Sequence, residues 1–307
     1  MSREDLYPTR IAEEKIIERS DPVVYGQEAW GAYSLDAASL AQYERDGFIL
    51  LESLFSLEEI ALFEQAFVEV GAEAAAAGSD KVIVEPDSKV VRSVFAQHEL
   101  SDLLARLAVD ERLLDVACQI LASEVYLHQA RINLKTAVYG QSFSWHSDFE
   151  TWHSEDGLPR LRVLTAMIFL TDNNQFNGPL YVVPGSHYWF VSCQGETPAD
   201  NYKSSLRQQV IGSPLPHSLE ALVAASQQKL EAVTGPAGSV LFFDGNLMHA
   251  SPDNLSPWPR TNLFWVYNSM ENQAAEPYIE RPPRPSFLAS RDFTPLKPIK
   301  NQFIKEK

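Results

Sequence analysis

After about residue 124 the sequence changes its period, and this change narrows the fold more than any other feature of the chain. Before it, apolar residues recur at spacings of three and four. Ile60, Phe63, Phe67 and Val70 follow a capping box formed by Ser56 and Glu59, and Leu103, Leu104, Leu107, Leu114, Ala117 and Ile120 follow Ser101. These patterns predict helices, the second over residues 101–122. An earlier helix carries Leu40 and Tyr43 and stops at Gly47, with "FILLESL" extended behind it. After the change, short runs alternate between apolar and polar: "EVYLHQARINLKTAVYG", "RLRVLTAMIFLTD", "GPLYVVPGSH", "GSVLFFDGNLMHAS" and "RTNLFWVYNS". Pro, Gly, Asn and Asp separate them, as they separate strands.

Helices followed by many short strands, with no long linker, predict one domain over residues 1–307. Its expected class is mainly β with flanking helices around a double-sheet, jelly-roll core. We expect a mainly helical part over 1–123, a β core over 124–275 and a C-terminal tail over 276–307. The core should carry an insertion at about 190–232, with a helix at about 218–231. The first 35 residues or so read as irregular, broken by Pro8, Pro22 and Gly31.

The chemistry concentrates in "FSWHSDFETWHSEDGLPR", residues 143–160. On a strand, residues i and i+2 face one side, so His146 and Asp148 can approach one metal together. The expected third ligand is His249, beyond a strong strand and a Gly-Asn turn. Two imidazoles and one carboxylate are the facial set of non-haem Fe(II) oxygenases, and they leave three coordination positions open. Arg260 begins the next strand. It is placed to hold the far carboxylate of a 2-oxoglutarate cosubstrate, with Ser251 adding a hydroxyl. The remaining histidines read as structural. His98, His128 and His217 show no partner spacing, His187 caps a turn, and His153 with Glu155 and Asp156 reads as a solvated stretch of a mobile loop.

A formal net charge of −16 argues against nucleic acid or an anionic membrane as partner. There is no apolar run of about 18 residues and no secretory-type start. Two cysteines, Cys118 and Cys193, form no disulfide framework and fit a reducing cytoplasm.

The frame His146, Asp148, His249, Arg260 resembles the phytanoyl-CoA-hydroxylase-type branch of the iron(II)/2-oxoglutarate dioxygenases. The opening "LAQYERDGFILLESLFSLEEI" resembles that branch too. The block "FSWHSDFETWHSEDGLPRLRVLTAMIFLTDNNQFNGPLYVVPGSH", with "GETPADNYKSSLRQQVIGSP" after it and "QARINLK" before it, resembles the ectoine hydroxylases over about residues 5–300. The resemblance implies a double-stranded β-helix core and a cytoplasmic enzyme, commonly a homodimer. It implies conversion of the compatible solute ectoine to 5-hydroxyectoine with Fe(II), 2-oxoglutarate and O2, releasing succinate and CO2. A carboxylate retained at Asp148 implies hydroxylation rather than halogenation.

Gln129 to Lys135 alternates strictly, and periodicity alone reads it as a half-exposed edge strand with a polar outer face. The resemblance instead turns that face into a pocket. Asn133 and Lys135 then lie toward 2-oxoglutarate, with Phe143 and Thr165, and Gln129 and Arg131 lie toward substrate. Arg131 suits the carboxylate of ectoine, and Trp152 suits its delocalised cation. Asn262 and Phe264 share the face of Arg260 and are assigned to substrate. Of Phe242 and Phe243 only one can face inward, and Phe242 is the expectation. The competing readings are a related dioxygenase acting on another small zwitterion, such as a proline-like amino acid, and a non-catalytic barrel binding a metal or solute.

Overall fold

A computed structural model describes residues 4–84, 90–205, 211–300 and 303. From the N-terminus, strand β1 (Lys15–Glu18) precedes helix α1 (Ala37–Asp46), strand β2 (Phe48–Leu51) and helix α2 (Leu57–Ala76). Strands β3 (Val82–Val84) and β4 (Val91–Phe95) and helices α3 (Asp102–Ala108) and α4 (Glu111–Leu121) follow. Next come the long strand β5 (Val125–Lys135), strand β6 (Phe143–His146), helix α5 (Asp148–Asp156) and strand β7 (Val163–Phe169). Strands β8 (Leu180–Val182) and β9 (Trp189–Ser192) lead to helices α6 (Asn201–Ser205) and α7 (Pro216–Ala225). The chain continues through β10 (Glu231–Val233), β11 (Val240–Asp244), β12 (His249–Ser251) and β13 (Arg260–Ser269).

A seven-stranded sheet runs β2-β11-β7-β13-β5-β4-β3, and a four-stranded sheet runs β10-β8-β12-β6. Between them an apolar layer packs Phe48, Met167 and Phe169 of the large sheet against Leu180 and Val182 of the small one. This is the double-sheet core that the alternation predicts. The outer face of the large sheet presents Ile132, Ala166, Phe242, Leu263 and Trp265 to the helices, in one core with Phe63, Leu104 and Ile120. Helices α1 to α4 thus flank one sheet and leave the inner face free to carry a site.

The local signals account for several boundaries. Gly47 ends α1 with a φ of 82°, and Ser56 with Glu59 closes a reciprocal capping box on α2. Other expectations need correction. The run 101–122 is two helices, because the buried Asp110 accepts from the Arg112 amide and starts a new one. The helix expected at 218–231 is Pro216–Ala225, and by Glu231 the chain is already in β10. Nor is the β core confined to 124–275: β2, β3 and β4 extend the large sheet, and β1 in the "irregular" start pairs with β9. Residues 206–210 of the expected insertion lie outside the described residues.

The largest correction concerns His153, Glu155 and Asp156 and the helix that carries them. They are no solvated loop. Asp148, Phe149, Glu150 and Trp152 to Asp156 are all buried in α5. Arg10 from the N-terminal segment neutralises the helix's inner acids, with Nε 2.6 Å from Glu150 and Nη2 3.2 Å from Glu155. His153 Nδ1 donates to the Leu158 carbonyl at 2.7 Å, and its Nε2 lies 3.0 Å from Asp5 Oδ1. Gly157 then ends the helix with a φ of 82°, where a Cβ would stand 2.3 Å from the Ala275 carbonyl oxygen. Sequence reasoning missed α5 because the partners of its acids and of His153, Arg10 and Asp5 among them, come from distant parts of the chain.

Candidate active site

His146 is the last residue of β6, and Asp148 is the first of α5. The two meet at a strand-to-helix junction, not on one strand as the period-two argument expects. His249 opens β12 and pairs in register with His146. The two imidazole rings lie 4.2 Å apart. Asp148 Oδ1 lies 3.7 Å from His146 Nε2, and its Oδ2 lies 3.9 Å from His249 Nε2. One donor atom from each of the three falls within 4.8 Å of the others.

This donor set fits a divalent metal. His146 Nδ1 is 2.8 Å from the Ser144 carbonyl oxygen, and His249 Nδ1 is 2.9 Å from that of Leu247. A carbonyl only accepts, so each Nδ1 carries the proton and each Nε2 presents a lone pair toward Asp148. Asp148 Oδ2 is buried without a hydrogen-bond partner among the described residues. Burial pushes the His249 pKa down to about 3, helped by the neighbouring His146, which keeps the ring neutral for ligation. Burial alone would raise the Asp148 pKa, but Arg131 and the two imidazoles outweigh it and hold the carboxyl below its ordinary range.

A cavity opens over this cluster. Its wall includes Gln129, Arg131, Asn133, Lys135, Phe143, Trp152, Ser251, Arg260 and Phe264. The polar face of β5 therefore points inward, between β13 and β4, and β5 is not an edge strand. Register explains the grouping: Lys135 faces Arg260, Asn133 faces Asn262, and Arg131 faces Phe264. The Arg131 guanidinium lies 4.7 Å from the centre of the Phe264 ring. Lys135 Nζ donates to the Pro252 carbonyl.

Three expected residues stand elsewhere. Phe242 pairs with Ala166 and Ile49 on the outer face and packs among the helices. Phe243, paired with Thr165 and Phe48, is the inward residue, and its ring lies 5.4 Å from that of His249. Alternation shows that the two differ, but only the register with β7 decides which is inside. Thr165 and Asn262 are on the inner face and fully buried, yet neither reaches the cavity wall. Asn262 instead rests its Nδ2 3.5 Å from Met167 Sδ.

Sequence reasoning also missed wall residues. Arg92 and Phe95 come from β4, Thr151 from α5, and Arg284 from the C-terminal segment. Arg284 sits in a Pro-rich stretch, "ERPPRPS", that carries no periodicity and reads as a tail. Only the fold brings it to the cavity.

A jelly roll with two imidazoles and a carboxylate converging at one inner point, beside buried cations, defines a non-haem iron(II) oxygenase. The comparisons make this specific. The model of the phytanoyl-CoA dioxygenase (PhyH) family matches residues 43–262. The ectoine dioxygenase of Bordetella bronchiseptica is 51% identical over 92% of each chain, and that of Stutzerimonas stutzeri is 47% identical over 98% of this chain and 99% of its own. The crystal structure of EctD from S. alaskensis with 2-oxoglutarate and 5-hydroxyectoine superposes with a TM-score of 0.87 at 40% identity, covering 98% of this chain and 100% of that one. The non-haem carbocyclase SnoK from nogalamycin biosynthesis, at 20% identity and a TM-score of 0.58, shares the fold alone. The chain belongs to the phytanoyl-CoA dioxygenase family and, within it, groups with the ectoine dioxygenases.

Proposed function

We propose that this enzyme hydroxylates ectoine to 5-hydroxyectoine, consuming 2-oxoglutarate and O2 and releasing succinate and CO2. The observation that carries the reading is the cavity itself: a facial triad at its floor, with buried cations and aromatic rings on its walls. The relatives named ectoine dioxygenase and the EctD structure with 5-hydroxyectoine support the same substrate. His146, Asp148 and His249 would hold iron, which when bound supplies the oxidising chemistry with O2 and 2-oxoglutarate.

The chain's own residues bind and orient. Arg260 and Lys135, with Ser251, Asn133 and Phe143, form the end assigned to 2-oxoglutarate. Arg131, Gln129, Trp152, Phe264 and the newly placed Arg284 form the end assigned to substrate. A buried zwitterion needs both charges met. Arg131 and Arg284 can receive the carboxylate, and the Trp152 ring can face the cation. We assign Asn262 and Thr165 a supporting role under this wall.

Lys135 gives a pH test. Burial, and then the charge of Arg260, pushes its ammonium down to about 7. In the free enzyme it is therefore mostly neutral at pH 8 and mostly charged at pH 6, and a bound dianion restores the charge. The affinity for 2-oxoglutarate is expected to weaken as pH rises through this range, by up to about tenfold per unit. Anaerobic titration of the Fe(II) enzyme with 2-oxoglutarate measures it. A Lys135→Met variant should give a flatter profile, and an identical slope in the variant would remove Lys135 from this role.

The same reading makes the enzyme a cytoplasmic homodimer that serves osmotic stress protection. Two free, buried cysteines are in keeping with a reducing compartment. Among the described residues no helix is long and apolar enough to cross a membrane. Light scattering during size-exclusion chromatography tests the dimer.

The deciding assay assembles the Fe(II) enzyme anaerobically, then adds 2-oxoglutarate, ectoine and O2 and counts both products. Succinate and 5-hydroxyectoine in near-equal amounts are expected. Succinate that another small zwitterion stimulates and ectoine does not would replace the substrate while keeping the class.

A further inference from the structure

The far end of α5 carries a buried cluster that the reading above does not use. We propose that Asp156 is a positioning residue for substrate, acting through Arg284. The proposal rests on the reading that Arg284 meets a substrate carboxylate, and the experiments below separate the two.

Asp156 is the last residue of the helix that Asp148 begins. Its carboxylate is fully buried and engaged on three sides. Arg284 Nε donates to Oδ1 at 2.7 Å, and Arg284 Nη2 donates to Oδ2 at 2.6 Å. His128 Nε2 lies 3.1 Å from Oδ2. A fork-to-fork pair with a third contact from behind leaves the carboxylate no freedom to turn. It also fixes the guanidinium plane, because both nitrogens on one edge are taken. Arg284 Nη1 makes no hydrogen bond among the described residues, and Arg284 lines the cavity.

The position of Arg284 in the chain makes such an anchor necessary. Residues 280–291 contain neither helix nor strand, so no regular element aims this long side chain. An unanchored arginine would have to lose its rotamer freedom on each binding event. The same carboxylate end also docks the surrounding segment. Arg291 Nη2 donates to the Asp156 carbonyl oxygen at 3.0 Å, and the Ser290 amide donates to that of His128 at 2.8 Å. Leu288 then accepts from Gln129 Nε2 at 2.6 Å, so a second wall residue takes its orientation from the docked segment. Buried ion pairs add little net stability in general, so a pair that fixes an arginine on a cavity wall and leaves its Nη1 unbonded has its clearest use in recognition.

The test is a double-variant cycle on Asp156→Asn, Arg284→Gln and the two combined, read as kinetic constants of the iron enzyme with ectoine and 2-oxoglutarate. Asp156→Asn is expected to raise the ectoine KM by about tenfold, the factor for immobilising one long side chain. The 2-oxoglutarate KM should stay unchanged. In the Arg284→Gln background the same substitution should add nothing. An ectoine KM within twofold of wild type, or full additivity in the double variant, would overturn the proposal. If Asp156→Asn alone does not fold, Arg284→Gln against the double variant, which strands no charge, decides: equal KM values support the proposal and a further rise overturns it. A second readout needs no substrate. The 15N NMR signals of the Arg284 guanidinium should be resolved and slowly exchanging in the wild type. They should be averaged in Asp156→Asn, and averaged signals already in the wild type would overturn the anchoring. A wild-type enzyme without ectoine-dependent turnover would refute the substrate reading and leave this second readout to judge Asp156.

Discussion

Replacing His146, Asp148 or His249 by alanine is expected to abolish hydroxylation and leave the fold in place. Each residue offers one donor atom to a common point, and two remaining donors cannot hold the facial geometry. The several kcal/mol that a bound metal contributes to such chemistry correspond to a loss of about a thousandfold or more. The fold should survive because the imidazoles do little for it. His146 and His249 each bond only a carbonyl two residues earlier in the chain, Ser144 and Leu247, while β6 and β12 remain paired through their backbones. Asp148 is the more delicate position. It lies 3.9 Å from the half-buried Arg131, so its loss removes the nearest counter-charge of that guanidinium. A larger drop in unfolding temperature is therefore expected for Asp148→Ala than for either histidine variant. Metal content, succinate formation and thermal unfolding measured on the same preparations check all three statements. Full activity with normal iron content in any one of them would remove that residue from the site.

The sequence shows the fold where short-range signals suffice. The shift from helical to alternating periods marks the helices on one side and the strands on the other. The capping box at Ser56 and Glu59 and the left-handed Gly47 mark helix ends through groups only a few residues apart. What fails is what depends on distant partners. The stretch "ETWHSEDG" is polar by composition, so it reads as solvated. It is buried because Arg10, Asp5 and Arg284 arrive from both ends of the chain to meet Glu150, His153 and Asp156. The same limit applies to the site. The triad is legible because its residue types and the Arg260 spacing are specific. The choice between Phe242 and Phe243 is not, because parity on β11 has meaning only relative to β7. Arg284 carries no local signal at all, since its role is created by where the C-terminal segment packs.

Arg260→Ala is expected to raise the 2-oxoglutarate KM on the order of a hundredfold, the cost of a charge-assisted bidentate pair, with far less effect on the ectoine KM. The free enzyme already shows the strain that this binding relieves. Arg260 is only 4% exposed, and its Nε has no hydrogen-bond partner among the described residues. No described carboxylate forms an ion pair with it. Burial alone pushes its pKa down to about 10, and Lys135 stands opposite it in register. Two cations held together in a low-dielectric wall are unfavourable until an anion arrives. Stability should therefore respond with the opposite sign to affinity. Arg260→Met, which keeps most of the packing, should leave the unfolding temperature of the free enzyme unchanged or raised, because a buried charge without a partner has been removed. Adding 2-oxoglutarate to the iron-loaded wild type should raise that temperature through linkage, and the increment should largely vanish in the variant. Arg260→Lys should restore little, since an ammonium cannot reproduce the planar fork. An unchanged cosubstrate KM in Arg260→Ala would move the carboxylate anchor elsewhere, with Lys135 and Arg92 as the cations of the cavity wall that are not assigned to substrate.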